Sequence, residues 1–203
     1  MTIRTRISLT IAVIVGVLTA ATLFFSRNCP DTDFALTDNA RVLHRLKNRT
    51  QIPQLLDFDS RVTLNALLEP GNDRDRWTLQ RADRISGYVI DFAYARPEAT
   101  NCFVPFRRDI HILVATKKDA TKSEQVVLEV TPNLRDWAFK KGLVWSESSL
   151  QTQLIGHWVE FEGWLYLDVG HTEEAENTAP RNPENWRATA WEIHPVTAIR
   201  VIY

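Results

Sequence analysis

Hydrophobic positions follow three different patterns along the chain. The first is an unbroken run, ISLTIAVIVGVLTAATLFF, nineteen residues from Ile7 to Phe25 without a charge, preceded by MTIRTR. At a rise of ~1.5 Å per residue such a run makes roughly 28 Å of helix, close to the ~30 Å hydrocarbon core of a bilayer. A buried core helix would be shorter and would carry a polar face. A cleaved signal peptide shares the basic start and apolar run. Its small residues, however, fall inside the run around Thr19 to Ala21, and Phe24, Phe25 and Arg27 make a poor cleavage site at its end. The expectation is an uncleaved single-pass anchor over residues 1–26. Arginines flank the run on both sides, so the short tail with Arg4 and Arg6 decides the orientation: tail in the cytoplasm, remainder of the chain outside it.

The second pattern, over residues 27–60, reads as a tether with one short helix. Thr37 or Asp38 can cap NARVLHRLKNR, in which Val42, Leu43 and Leu46 share a side, and Pro53 ends any extension. His44 has no carboxylate at helical spacing and reads as solvated.

The third pattern, over residues 61–203, is alternation. RVTLNALL (61–68) reads as a strand closed by the turn EPGND. ISGYVIDFAYA (85–95), DIHILVAT (109–116) and QVVLEVTP (125–132) follow as β-rich runs. Ser146 then caps a helix over ESSLQTQLI, with Gly156 at its end, and HWVEFEGWLYLD (157–168) and a broken strand over 186–202 complete the series. Three strands, a helix and two strands is the order of a mainly β, OB-like five-stranded barrel. An SH3-like barrel or an open α+β sheet fits the same order.

In that barrel the second, third and fifth strands are neighbours, and side-chain parity then gathers a polar set. Asp109 and His111 oppose Ile110, Ile112 and Val114. Glu129 and Thr131 oppose Val126, Leu128 and Val130. Glu192 and His194 oppose Trp191 and Ile193, with Trp191 directed inward beneath the helix 147–155. Asp168 and His171 can join this belt from a rim. Imidazole and carboxylate groups of this kind hold divalent metals or act as general acid and base, yet no pair has a diagnostic metal spacing on one element. The plainer reading is that cross-strand His and carboxylate groups satisfy one another. His157 reads as a structural hydrogen-bonder, and Asn177, Arg187 and Thr189 as loop anchors.

Composition changes this picture little. A net charge of −1 offers no global field for a polyanion. Arg107, Arg108, Lys117, Lys118 and Lys122 are basic, but the stretch 168–186 sets Asp168, Glu173, Glu174, Glu176 and Glu184 against Arg181, which argues against nucleic acid. Trp145, Trp158, Trp164, Trp186 and Trp191 concentrate packing in the last third; Trp158, Trp164 and Tyr166 at period two read as packing surface more readily than as a stacking platform. Cys29 and Cys102 leave the redox compartment open: they can pair outside the cytoplasm or stay free, and the closeness of Cys29 to the membrane argues against a pair with the domain. SRN before Cys29 does not make a lipidation site.

The stretches VTLNALLEPG, ISGYVIDF, EATNC, DIHI, EVTP, GHWVEFEGWLYLD, AENTAP and NWRATAWEIHPVT together resemble the motif series of an uncharacterised bacterial family of OB-like domain proteins, from about Val62 to Val201. The chain departs from that family at ARPEATNC, where a Gly-rich turn is usual. The resemblance implies the extent of the domain and its kinship, and carries no activity, cofactor or catalytic residue. The expected function is a membrane-anchored binding or interaction module whose ligand site lies among Asp109, His111, Glu129, Thr131, Asp168, His171, Glu192 and His194. The alternative is a metal-dependent, phosphodiesterase-like hydrolase using the same belt.

Overall fold

A computed structural model describes residues 10–17, 29–30 and 35–202. Five strands, β1 (Ala82–Ala93), β2 (Ile110–Ala115), β3 (Val126–Val130), β4 (Trp158–Leu167) and β5 (Trp191–Val201), close into a barrel in the order β1-β2-β3-β5-β4. Closure depends on the length of β1. Its first half, Ala82–Tyr88, pairs antiparallel with β4, and its second half, Tyr88–Ala93, pairs with β2 after a register shift near Val89. Gly87 sits where the strand changes partner, and a Cβ there would collide with Val114 and Leu64. The barrel's other tight point is Gly163 on β4, at a register irregularity against β5, where a methyl group would collide with Ile193 and the Pro195 carbonyl. β3 meets β5 in parallel at Leu128 and Ile193. The His194–Pro195 peptide in β5 is cis.

The alternation of the sequence survives in the core. Ile85, Val89, Ile110, Ile112, Val114, Val126, Leu128, Val130, Phe161, Leu165, Trp191 and Ile193 fill one cluster. Helices α1 (Asp38–Asn48), α2 (Leu64–Leu68), α3 (Pro132–Lys140) and α4 (Glu147–Leu154) surround it. Capping residues start each of them: Thr37, Thr63, Thr131 and Ser146 accept from a backbone N–H three positions on. The alternation read over 61–68 is therefore overruled at Thr63, whose cap starts a short helix that buries Leu64 and Leu67 at helical spacing.

Two further expectations are corrected. Cys29 and Cys102 form a disulfide with Cα atoms 5.9 Å apart, across 73 positions of sequence. In α1 the buried residues are Lys47 and Asn48, while Val42 is exposed. The helix is held at the barrel by Arg49, which donates to the Leu79 and Leu165 carbonyls, and by Trp164, which donates to Gln51. Most of the run Ile7–Phe25 lies outside the described residues. Within it residues 10–17 are helical and exposed, and among the described residues no helix is long and apolar enough to cross a membrane.

Candidate functional site

The outer faces of β2, β3 and β5 carry the belt, and the register makes it continuous. His111 lies directly opposite Glu129, so Nε2 stands 3.2 Å from Oε1. The other Glu129 oxygen is 2.9 Å from His194 Nδ1. The same nitrogen is 3.3 Å from Glu192 Oε2, and Glu192 Oε1 is 2.7 Å from Arg187 Nη1. Charge alternates along this row of five groups.

Unlike a half-exposed sheet face, the row is covered. His111, Glu129, Glu192, His194 and Arg187 are all buried beneath α1 and the loops. Lys47 from α1 reaches Asp168 at 3.3 Å and Glu98 at 3.7 Å, with its ammonium 5.4 Å from the centre of the Tyr166 ring. Tyr166 in turn lies 5.5 Å from the His194 ring. Asp109 precedes β2 and accepts from Asn101 Nδ2 at 3.2 Å. Thr131 is engaged as the cap of α3 and takes its place in the fold there. His171 stands apart from the row. It contacts Glu174 at 2.9 Å and meets Trp186 edge-on, with ring centres 5.7 Å apart.

The electrostatics follow from the alternation. Burial pulls the His111 imidazolium down, but the Glu129 carboxylate opposite it outweighs burial and raises the group to about 9. His194 is raised to about 10 by the same contest, with Glu129 and Glu192 opposing burial. Glu129, although burial favours its neutral form, is held well below the ordinary carboxylate range by the two rings. Burial works against the Lys47 charge as well, and Glu129, Asp168, Glu98 and Glu192 reverse it, holding the ammonium well above its usual value. Asp168 is lowered, with Lys47 outweighing its burial. Asp109 is pushed up to about 6, because burial outweighs the attraction of the nearby His194 imidazolium. At neutral pH the row is a chain of ion pairs with both imidazoles protonated.

Satisfaction is incomplete. The His194 Nε2 and Arg187 Nη2 atoms are buried without a hydrogen-bond partner, and the 2.7 Å Arg187–Glu192 approach lies within ion-pair distance but outside hydrogen-bond geometry. Two sets of ligand atoms fall within 4.8 Å of one another: Asp109, Glu129 and His194, and Glu129, Asp168 and Glu192. Donor type and spacing suit a divalent cation, whereas Lys47, Arg187 and the two imidazolium groups already neutralise the same carboxylates.

The belt reaches the surface at His111. A cavity of about 400 Å³ opens there, lined by Tyr94, Arg96, Glu98, His111, His171, Glu174 and Trp186. Trp186 donates to Glu174 at 2.5 Å, and the Arg108 guanidinium stacks 4.7 Å from the Tyr94 ring centre. A second cavity, about 850 Å³, lies beside the disulfide between α3 and the β1–β2 loop.

Sequence reasoning brought His111, Glu129, Glu192 and His194 together and missed their partners. Arg187 was assigned to loop anchoring, and Lys47 was given no role within the tether helix. Asp73, fully buried, accepts from Thr189 Oγ1 and the Ala190 amide and ties the loop 69–79 to β5, while Trp191 donates to its carbonyl. Thr189 and Asn177 do act as anchors, both through Asp73. His157 is exposed; its Nδ1 lies 3.1 Å from the Ile155 carbonyl, and its own carbonyl accepts from the Val89 amide. No local pattern marks Asp73 or Lys47, because each acquires its role from a distant element. No protein-family model, curated protein or solved structure matches the chain.

Proposed function

We propose that the chain is a membrane-anchored binding module, an OB-like barrel held on the extracytoplasmic side, with its ligand groove at the cavity above His111. One observation carries the binding reading. That cavity lies between the β1–β2 and β4–β5 loops on the β2 side, where OB barrels take their ligands, and it combines two aromatic walls, Tyr94 and Trp186, with charges of both signs. Arg96 shares the lining with Glu98 and Glu174, a mixed-charge wall that suits a small neutral polar ligand such as a sugar better than a polyanion. The buried row beneath serves to hold the floor rigid. The anchor reading is supported by the uncharged run Ile7–Phe25 and by the disulfide, which belongs in an oxidising compartment.

The test is a thermal-shift screen of the purified protein against sugars, amino acids and nucleosides. A ligand at a hundred times its Kd stabilises by ~2.7 kcal/mol, or roughly 5–10 °C for a domain of this size. Trp186→Ala and Tyr94→Ala should abolish that shift; a ligand whose shift survives both binds elsewhere. Alkali-resistant fractionation with membranes, and a reporter after Tyr203 active only outside the cytoplasm, test the anchor and its orientation.

The two sets of ligand atoms within 4.8 Å favour a second reading, a metal-dependent phosphodiesterase-like hydrolase. Stoichiometric binding of Mn²⁺ or Zn²⁺, with turnover of a generic phosphodiester lost in Glu129→Gln, would establish it over the binding module.

A further inference from the structure

We propose that the Cys29–Cys102 disulfide clamps the barrel onto the bilayer surface, with the face carrying Phe103, Phe106, Phe139 and Val144 seated among the lipid headgroups. The proposal rests on the anchor reading and adds an orientation to it. Three residues separate Phe25, the last of the uncharged run, from Cys29. At most ~3.6 Å per residue, Cys29 stays within about 14 Å of the point where the chain leaves the hydrocarbon core. The headgroup layer itself occupies roughly 5–8 Å of that distance. The disulfide fixes Cys102 to Cys29, so the surface around Cys102 is the part of the domain nearest the membrane.

That surface has the chemistry of an interfacial face. Phe103, the next residue after Cys102, is 65% exposed, and Phe106 is 58% exposed. Across the cleft that Cys29 and Pro30 help to line, Phe139 is 78% exposed and Val144 62%. Lys140 and Lys141, both exposed, stand in sequence between them, at the C-terminal end of α3. Apolar side chains interleaved with lysines that extend to the phosphates characterise segments lying at a bilayer surface. A soluble domain rarely leaves so many large apolar side chains bare on one side. Without the disulfide, the distance is limited only by the chain up to Thr37, the N-cap of α1, twelve positions after Phe25, which can span up to about 43 Å. The oxidised pair therefore sets how far the groove stands from the membrane.

The experiment uses the full chain in liposomes of neutral and anionic phospholipid. A photoreactive benzophenone residue replaces Phe106 or Phe139, and, for comparison, Leu56 or Val201, both exposed and apolar elsewhere on the domain. Lipid adducts are counted by mass spectrometry, and flotation of the liposomes is scored separately. The expected result is at least tenfold more lipid adduct at positions 106 and 139 than at 56 and 201, falling severalfold after reduction or in a Cys29→Ser, Cys102→Ser variant. Equal labelling at all four positions, no lipid adducts in protein that floats, or adducts to a second protein chain would overturn the seated face while leaving the anchor standing. Adducts at 106 and 139 that persist unchanged after reduction would overturn the clamp. Protein that fails to float overturns the anchor itself, and the orientation with it.

Discussion

Raising the pH from 6 to 9 should strip stability from the barrel, because the folded state holds protons on His111 and His194 that the unfolded chain releases. Both groups are raised from the ordinary 6.5, to about 9 and about 10. A raised group contributes its full stabilisation below the unfolded value and loses it as the pH climbs toward the folded one. The window therefore runs from about 6.5 to about 9 for His111 and to about 10 for His194. Each extra bound proton gives a slope of ~1.4 kcal/mol per pH unit, so two set a ceiling of ~2.7. Partial relaxation and water penetration reduce this, and about 1–2 kcal/mol per unit is the expected loss. Against a total of ~5–15 kcal/mol this is a large change. Glu129 has the opposite sign: its depressed value makes its contribution vanish only on the acid side, below the ordinary carboxylate range. Urea unfolding followed by tryptophan fluorescence at pH 6, 7, 8 and 9 in detergent solution measures the slope. Both cysteines are paired, so no thiol titrates in this window. Glu129→Gln removes the charge common to both rings. It should cost about 3–5 kcal/mol at pH 6, the range for breaking a buried ion pair, and flatten the slope, so that wild type and variant converge toward pH 9. A wild-type stability unchanged from pH 6 to 9 would mean the imidazoles are neutral in the fold, and the alternating-charge account of the belt would fall.

Four further outcomes are expected. Lys47→Met leaves Asp168 buried without its cation and should destabilise by about 3–5 kcal/mol, with Asp168→Asn restoring part of the loss; additivity of the two in chemical denaturation would refute the pairing. Trp191→Ala, which empties the space against Trp77 at 5.5 Å and frees the Asp73 carbonyl, should cost about 3–5 kcal/mol, and a loss under about 1 would mean the side chain is not in the core. A cycle on Glu129→Gln and His194→Ala should give a coupling of roughly 0.5–3 kcal/mol, since the two groups are 2.9 Å apart. Gly163→Ala should destabilise by about 1–3 kcal/mol through its collision with Ile193 and the Pro195 carbonyl, whereas an unchanged melting temperature would show that β4 and β5 can part there.

Local chemistry determined much of this molecule. Period-two alternation located all five strands and assigned their inner faces, since a strand with one buried face cannot slip by one residue without exposing its core set. Strand order then made His111, Glu129, Glu192 and His194 neighbours, and hydroxyl caps at Thr37 and Ser146 started α1 and α4 where expected. The tertiary structure decided what covers that face. Parity states which way a side chain points and is silent on whether water or another element lies beyond it. Only the docking of α1 and of the loop before β5 brings Lys47 and Arg187 over the carboxylates and turns a polar sheet face into a buried row of ion pairs. Asp73 lies 116 positions from Thr189, and Cys29 lies 73 from Cys102. Contacts at such separations depend on the path of the whole chain, and no local propensity encodes them. Over 61–68 a hydroxyl cap at Thr63 outweighed an apparent alternation, because residues with no neighbouring strand satisfy their backbone most cheaply by hydrogen bonding within the segment.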